Sequence, residues 1–267
     1  MRIIGVDFTS APSRRKPITW ASASFTRDVL QVDDVELMPT FDAFEAALIR
    51  PGPWTAGFDL PFGLPRELVD HLGWPARWDA LIRHFAGLAR DEIRATFQAF
   101  CAARPVGAKF AHRRTDGPAG SSPSMKWVNP PVAYMLHAGA PRLLAAGVHV
   151  PGLHLGDASR VALEAYPGYL ARRITSKSYK SDEAAKQTPE RAAARALIVD
   201  ALLDGAFGIP VALSPAMARD LRNDGSADRL DAVLCAVQAA RALAMPRYGL
   251  PENVDPVEGW IAGVPDC

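Results

Sequence analysis

Two short apolar runs in this chain each end on an aspartate, and that restricts the available folds more than any other feature of the sequence. Ile3-Ile4-Gly5-Val6 leads into Asp7, and Trp54-Thr55-Ala56-Gly57-Phe58 leads into Asp59. Short apolar runs bounded by turn residues read as buried strands. A carboxylate closing such a strand loses hydration, so a cation or a helix N-terminus has to stand near it. Towards the other end of the chain, Asp228 and Asp231 stand three apart at the start of an amphipathic helix. Acids from two strands and one helix can converge on a single divalent site, a layout suited to phosphate chemistry with magnesium or manganese. The competing reading makes each of them a separate helix cap or surface charge.

The segments around these acids alternate between strand and helix patterns. Residues 3–8, 18–25, 29–37, 54–59 and 160–166 read as five strands, with a turn over 11–17. A helix opening at Thr40 puts Phe41, Phe44, Ala47 and Leu48 on one face and stops at Arg50-Pro51-Gly52. The pattern predicts an α/β fold in one domain over 1–267, a mixed five-stranded sheet flanked by helices. Residues 66–147 form a mainly helical insertion, interrupted by a loop over 105–130 rich in Pro, Gly, Ser and Arg. Thr188-Pro189-Glu190 starts a helix that runs to Leu203, and Ser226 caps the last helix, whose Leu230, Val233, Leu234 and Val237 face the core. The proline-rich tail from Pro246 is expected to lie across the surface.

A formal net charge of +1 rules out bulk electrostatic attraction to nucleic acid or to an anionic membrane. The charge is uneven, however. Residues 104–127 hold five cations (Arg104, Lys109, Arg113, Arg114, Lys126) against Asp116 alone, and residues 172–186 hold five against Asp182 and Glu183. A phosphate-bearing ligand would dock on such segments, so Arg113, Arg114 and Lys126 are expected at the mouth of the site as substrate contacts. Cys101, Cys235 and Cys267 form no CxxC pair, which points to a reducing, cytoplasmic setting. The opening apolar stretch is too short for a signal peptide, and Gln238 and Arg241 interrupt the most apolar helix, so no membrane association is expected. The histidines show no metal-binding spacing; His112, in the basic loop, is the one placed to carry a proton.

The segments GVDFTSAP (5–12), FDLPFGLP (58–65), RRTD (113–116), EAYP (164–167) and LDAVLCA (230–236) resemble the predicted nucleases catalogued as domain of unknown function 429. The order of the acids is similar to that of RuvC-type resolvases. The resemblance spans nearly the whole chain and implies a ribonuclease H-like fold with metal-dependent hydrolysis of phosphodiesters in DNA or RNA. It implies Asp7, Asp59, Asp228 and Asp231 as ligands of Mg2+ or Mn2+, and Asp7, Asp59, Glu164 and Asp231 as the catalytic set. Glu164 is either a further ligand or an acid that pairs with Arg113 or Arg114. Two other functions stay open. One is an actin-like, sugar-kinase-type phosphotransferase, echoed by Asp7-Phe8-Thr9-Ser10 but lacking a glycine-rich phosphate loop. The other is a non-catalytic ribonuclease H-like scaffold.

Overall fold

The chain opens as an antiparallel meander of β1 (Arg2–Asp7), β2 (Ile18–Thr26) and β3 (Val29–Met38). Arg27 and Asp28, at φ of 50° and 61°, join the last two. Positive φ at both turn residues matches the twist of the flanking strands, which holds the hairpin in register. In the computed structural model, which describes residues 1–266, four more strands join in parallel. These are β4 (Trp54–Asp59), β5 (Val148–His149), β6 (Asp157–Glu164) and β7 (Val211–Ala212). Cys267 lies outside the described residues. The order is β5-β6-β4-β1-β2-β3-β7, with β2 alone running against the rest. Among the described residues the sheet therefore has seven strands rather than the expected five. The two additions are two-residue edge strands, too short to leave an alternation in the sequence.

Ten α-helices surround the sheet among the described residues. Helix α1 (Phe41–Leu48) precedes β4. The insertion holds α2 (Arg66–Leu72), α3 (Trp78–Ala86), α4 (Arg90–Ala102), α5 (Asp116–Ala119) and α6 (Val132–Ala145). Then come α7 (Pro167–Ala171), α8 (Pro189–Leu203), α9 (Pro215–Asn223) and α10 (Asp228–Leu243). Thr188 caps α8 as expected, its hydroxyl accepting the Arg191 N–H. Among the described residues no helix is long and apolar enough to cross a membrane.

Strand parity decides what each face packs against. Ile4, Val6 and Phe8, with Trp54, Ala56 and Phe58, join α1 and the insertion in one apolar cluster that also holds Trp78, Phe85, Phe97 and Leu136. The insertion thus shares the core of the sheet. Ile3, Ala21 and Ala23 face the other way, onto Ile198 of α8 and Val233 and Val237 of α10. Helix α10 lies directly on the strands because they carry glycine beneath it. A Cβ at Gly5 would stand 1.9 Å from the Ala232 carbonyl oxygen, and one at Gly57 would stand 2.5 Å from that of Cys235. No side chain fits there.

Two expectations need correction. The N-cap residue of α10 is Ala227, at φ 61°, while the Ser226 hydroxyl accepts the Asp228 N–H at 3.4 Å. The tail is not a surface strap, since Val257, Trp260, Ile261, Ala262 and Val264 are buried. Ile261 forms a parallel bridge with Glu164, and the Ala262 N–H donates to the Glu164 carbonyl at 2.9 Å. Backbone pairing at the end of β6 holds the tail, a kind of contact that leaves no periodicity in a proline-rich sequence.

Candidate functional site

Parallel pairing of β1 with β4 sets Asp7 opposite Asp59, one strand spacing apart, about 4.8 Å between backbones. Both residues share the parity of Gly5 and Gly57, so their carboxylates project on the α10 side. The first turn of α10 brings Asp228 and Asp231 to the same place. Asp231 is 0 % exposed and Asp7 8 % exposed. Burial pushes the Asp7 carboxyl well above the usual range, and Asp231, Asp228 and Asp59 push it further, with Lys180 opposing them. Burial likewise raises Asp59 to about 7, against the pull of Lys180 and with added repulsion from Asp231 and Glu164.

The counter-charges are Lys180, from the basic segment over 172–186, and Lys16, from the turn over 11–17. The Lys180 ammonium donates to Asp231 Oδ2, and the Tyr179 hydroxyl donates to Oδ1 at 2.7 Å. Burial pulls the Lys180 pKa down, but Asp231, Asp7 and Asp59 hold it well above its ordinary value. Lys16, from the turn after β1, bridges Asp228 at 2.8 Å and Asp182 at 2.7 Å. Arg195 of α8, 5 % exposed, donates to the Tyr179 carbonyl at 2.9 Å and so fixes the backbone that presents Tyr179 and Lys180. Sequence reasoning missed Lys16, Tyr179 and Lys180 in this role. The only signal for Tyr179 and Lys180 was that a buried Asp231 requires a partner, and Lys16, paired with Asp228 and Asp182, left none.

Glu164 belongs to the other face. It pairs in register with Phe58, so it points towards the insertion, where Arg113 waits. Arg113 donates to Glu164 Oε1 at 2.6 Å and Oε2 at 2.8 Å, to Asp116 Oδ1 at 2.9 and 3.1 Å, and to the Glu258 carbonyl at 2.9 Å. These bonds occupy all five guanidinium N–H groups, and the side chain is 1 % exposed. Arg113 touches the cavity wall but has no donor left for a substrate phosphate, which corrects its expected role. Of the two roles read for Glu164, pairing with Arg113 is the one present. Arg114 pairs with Asp266 at 2.7 Å over the Trp260 ring, and neither Arg114 nor Lys126 lines the cavity. His112 is exposed and is also absent from its lining.

The cavity, of about 420 Å3, opens where β1, β4 and β6 end. In open parallel sheets ligands bind at this carboxyl edge. Asp7, Asp59, Asp228, Lys16 and Lys180 line it, with Asp231 fully buried behind Tyr179 and Lys180. All the donors are hard oxygens of the kind magnesium and manganese take, and five carboxylates, Asp182 included, face two ammonium groups. A divalent cation suits both the donor type and the missing positive charge. Among the described residues, no three acidic, histidine or cysteine side chains stand close enough to hold an ion as placed, with Lys180 among the acids. No family profile, curated protein or solved structure matches the chain.

Proposed function

We propose that this chain is a divalent-metal-dependent nuclease of ribonuclease H-like architecture, hydrolysing phosphodiester bonds in nucleic acid. The observation that carries the reading is the register pairing of Asp7 with Asp59 beneath the Asp-bearing head of α10. The ribonuclease H-like part rests on the opening meander with its terminal acid, the parallel strand bearing a second acid, and the Asp-x-x-Asp of the last helix. Nucleic acid as the substrate rests on the resemblance of the sequence segments. The buried, free Cys101 and Cys235 fit a reducing, cytoplasmic setting.

Hydrolysis adds a water oxygen to phosphorus, breaks one P–O bond and leaves a departing oxygen that takes up a proton. Bound magnesium or manganese supplies an activated water and compensates charge on the leaving oxygen. Asp7, Asp59 and Asp231 would hold the ion, with Asp228 at the rim. Lys180, which lines the cavity and is bonded to Asp231, would set its ammonium against a phosphate oxygen when released from that carboxylate. Arg195 holds Tyr179 and Lys180 in place through the Tyr179 carbonyl.

The test is a panel of single-stranded, duplex, hybrid and branched substrates with magnesium, manganese or calcium, alongside Asp7→Asn. Cleavage with the first two metals, little with calcium and none in the variant is the expected outcome. Calcium prefers looser coordination and polarises water less. Silence on every substrate with Asp7-dependent ATP hydrolysis would overturn the reading in favour of a phosphotransferase. Silence in both assays with retained nucleic-acid binding would favour the scaffold.

A further inference from the structure

Part of the first cavity has an apolar wall, formed by Phe8, Leu60, Pro61, Val132, Met135 and Ile261, beside Ser121, Ser122 and the Arg113–Glu164 pair. Such a wall offers nothing to a sugar-phosphate backbone, and a base inside a duplex cannot reach it. An unstacked base presents a π face that suits it. The volume of about 420 Å3 is in the range of small-ligand sites, not of a groove for a double helix.

A second cavity, of about 350 Å3, shares Asp59, Tyr166 and Lys180 with the first. Its wall differs in kind: Arg172, Thr175, Ser176, Lys177 and Ser178 line it with hydroxyls and cations. Arg172 already bonds the Ala119 carbonyl and the Tyr166 hydroxyl, whereas the Lys177 ammonium and the Ser176 hydroxyl are of the kind that recognise phosphate oxygens. The two cavities therefore flank the Asp59–Lys180 pair, one suited to a base and one to a phosphate. In the 104–127 segment Arg113 is committed inside its network and Arg114 to Asp266, so neither guanidinium is free to grip a duplex.

We propose that the site takes one unpaired nucleotide of a strand, with its base in the apolar cavity and an adjoining phosphate in the hydroxyl-lined one. The inference rests on the nuclease reading and narrows its substrate to unpaired nucleic acid. Binding is measured by fluorescence anisotropy, with manganese, on full-length Asp7→Asn protein. The probes are short labelled single strands of DNA and RNA, the matching duplexes, and strands in which each base in turn is replaced by an abasic unit. Single strands should bind at least about tenfold tighter than duplex, and one abasic position should cost about tenfold. Lys177→Glu, at an exposed residue of the second cavity, and Met135→Trp, which fills the first, should each weaken binding several-fold. Should Met135→Trp fail to fold, the abasic series and Lys177→Glu decide. Equal affinity for duplex and single strand, indifference to every abasic position, or no binding at all would overturn the proposal. Manganese-dependent hydrolysis of a small p-nitrophenyl phosphodiester by the unmodified protein separates the two ideas. Hydrolysis with base-indifferent binding sinks this inference alone. Base-dependent binding without hydrolysis sinks the nuclease reading alone.

Discussion

Two groups of buried and half-buried acids meet the same edge of the sheet from opposite faces, and they are balanced in opposite ways. On the insertion face, Glu164 and Asp116 surround Arg113, and every guanidinium N–H is matched to an oxygen. On the α10 face, Asp7, Asp59, Asp228 and Asp231 share Lys180 and Lys16. Both groups lie where apolar strands end, so burial alone does not separate structure from chemistry. The balance of charge and hydrogen bonds does. A saturated network ties the insertion to β6 and the tail, whereas an under-compensated group of acids keeps its capacity for a cation.

The sharpest contrast between the two faces comes from removing one member of each. Arg113→Ala leaves Glu164 and Asp116 buried without a partner and should cost roughly 3–5 kcal/mol of stability in denaturant unfolding. Asp7→Asn removes one of several repelling acids, so unfolding stability should hold or rise while activity disappears. If Asp7→Asn unfolded the protein as severely as Arg113→Ala, the two faces would be equivalent and the comparison would fail.

A smaller effect tests how α10 delivers its acids. Gly5→Ala places a methyl against the Ala232 carbonyl and should cost about 1–3 kcal/mol, because the helix has to lift off the strands. Activity should fall with stability, since lifting α10 carries Asp231 away from Asp7. Full activity in Gly5→Ala would show that the close approach is not what sets the site.

The mildest test is pH without metal. The folded protein holds a proton on Asp59 up to about 7, while the unfolded chain releases it near pH 4. Between those values the native state binds more protons, so stability should fall as pH rises from about 4 to about 7. Asp7 contributes in the same direction. Asp59→Asn should flatten this slope in thermal melts. An unchanged slope would mean that Asp59 does not carry the imbalance.

Much of this arrangement was legible in the residues, but unevenly. Apolar runs ending on Asp7 and Asp59, and the Asp228–Asp231 spacing at the head of a helix, already marked the acids that share one cavity edge. The faces they occupy were not legible for Glu164, because its direction depends on pairing with Phe58 and not on its own neighbours in sequence. The basic segment at 104–127 showed its charge but not that Arg113 would be buried with Asp116 and Glu164. Lys180 was visible only as a member of a charged segment and Lys16 only as a turn residue, since a lysine recruited by a distant buried acid looks like a solvated one. The tail deceived for a related reason. Glu258 accepts the Arg66 and Arg114 N–H groups at 2.8 and 2.9 Å, contacts that leave no pattern in a proline-rich stretch.

The most direct test of the central claim is anomalous diffraction from a crystal soaked in manganese. Anomalous density is expected among Asp7, Asp59 and Asp231, with the Lys180 ammonium moved off Asp231 Oδ2. Saturating manganese with no density there, and Lys180 still bound to Asp231, would contradict it.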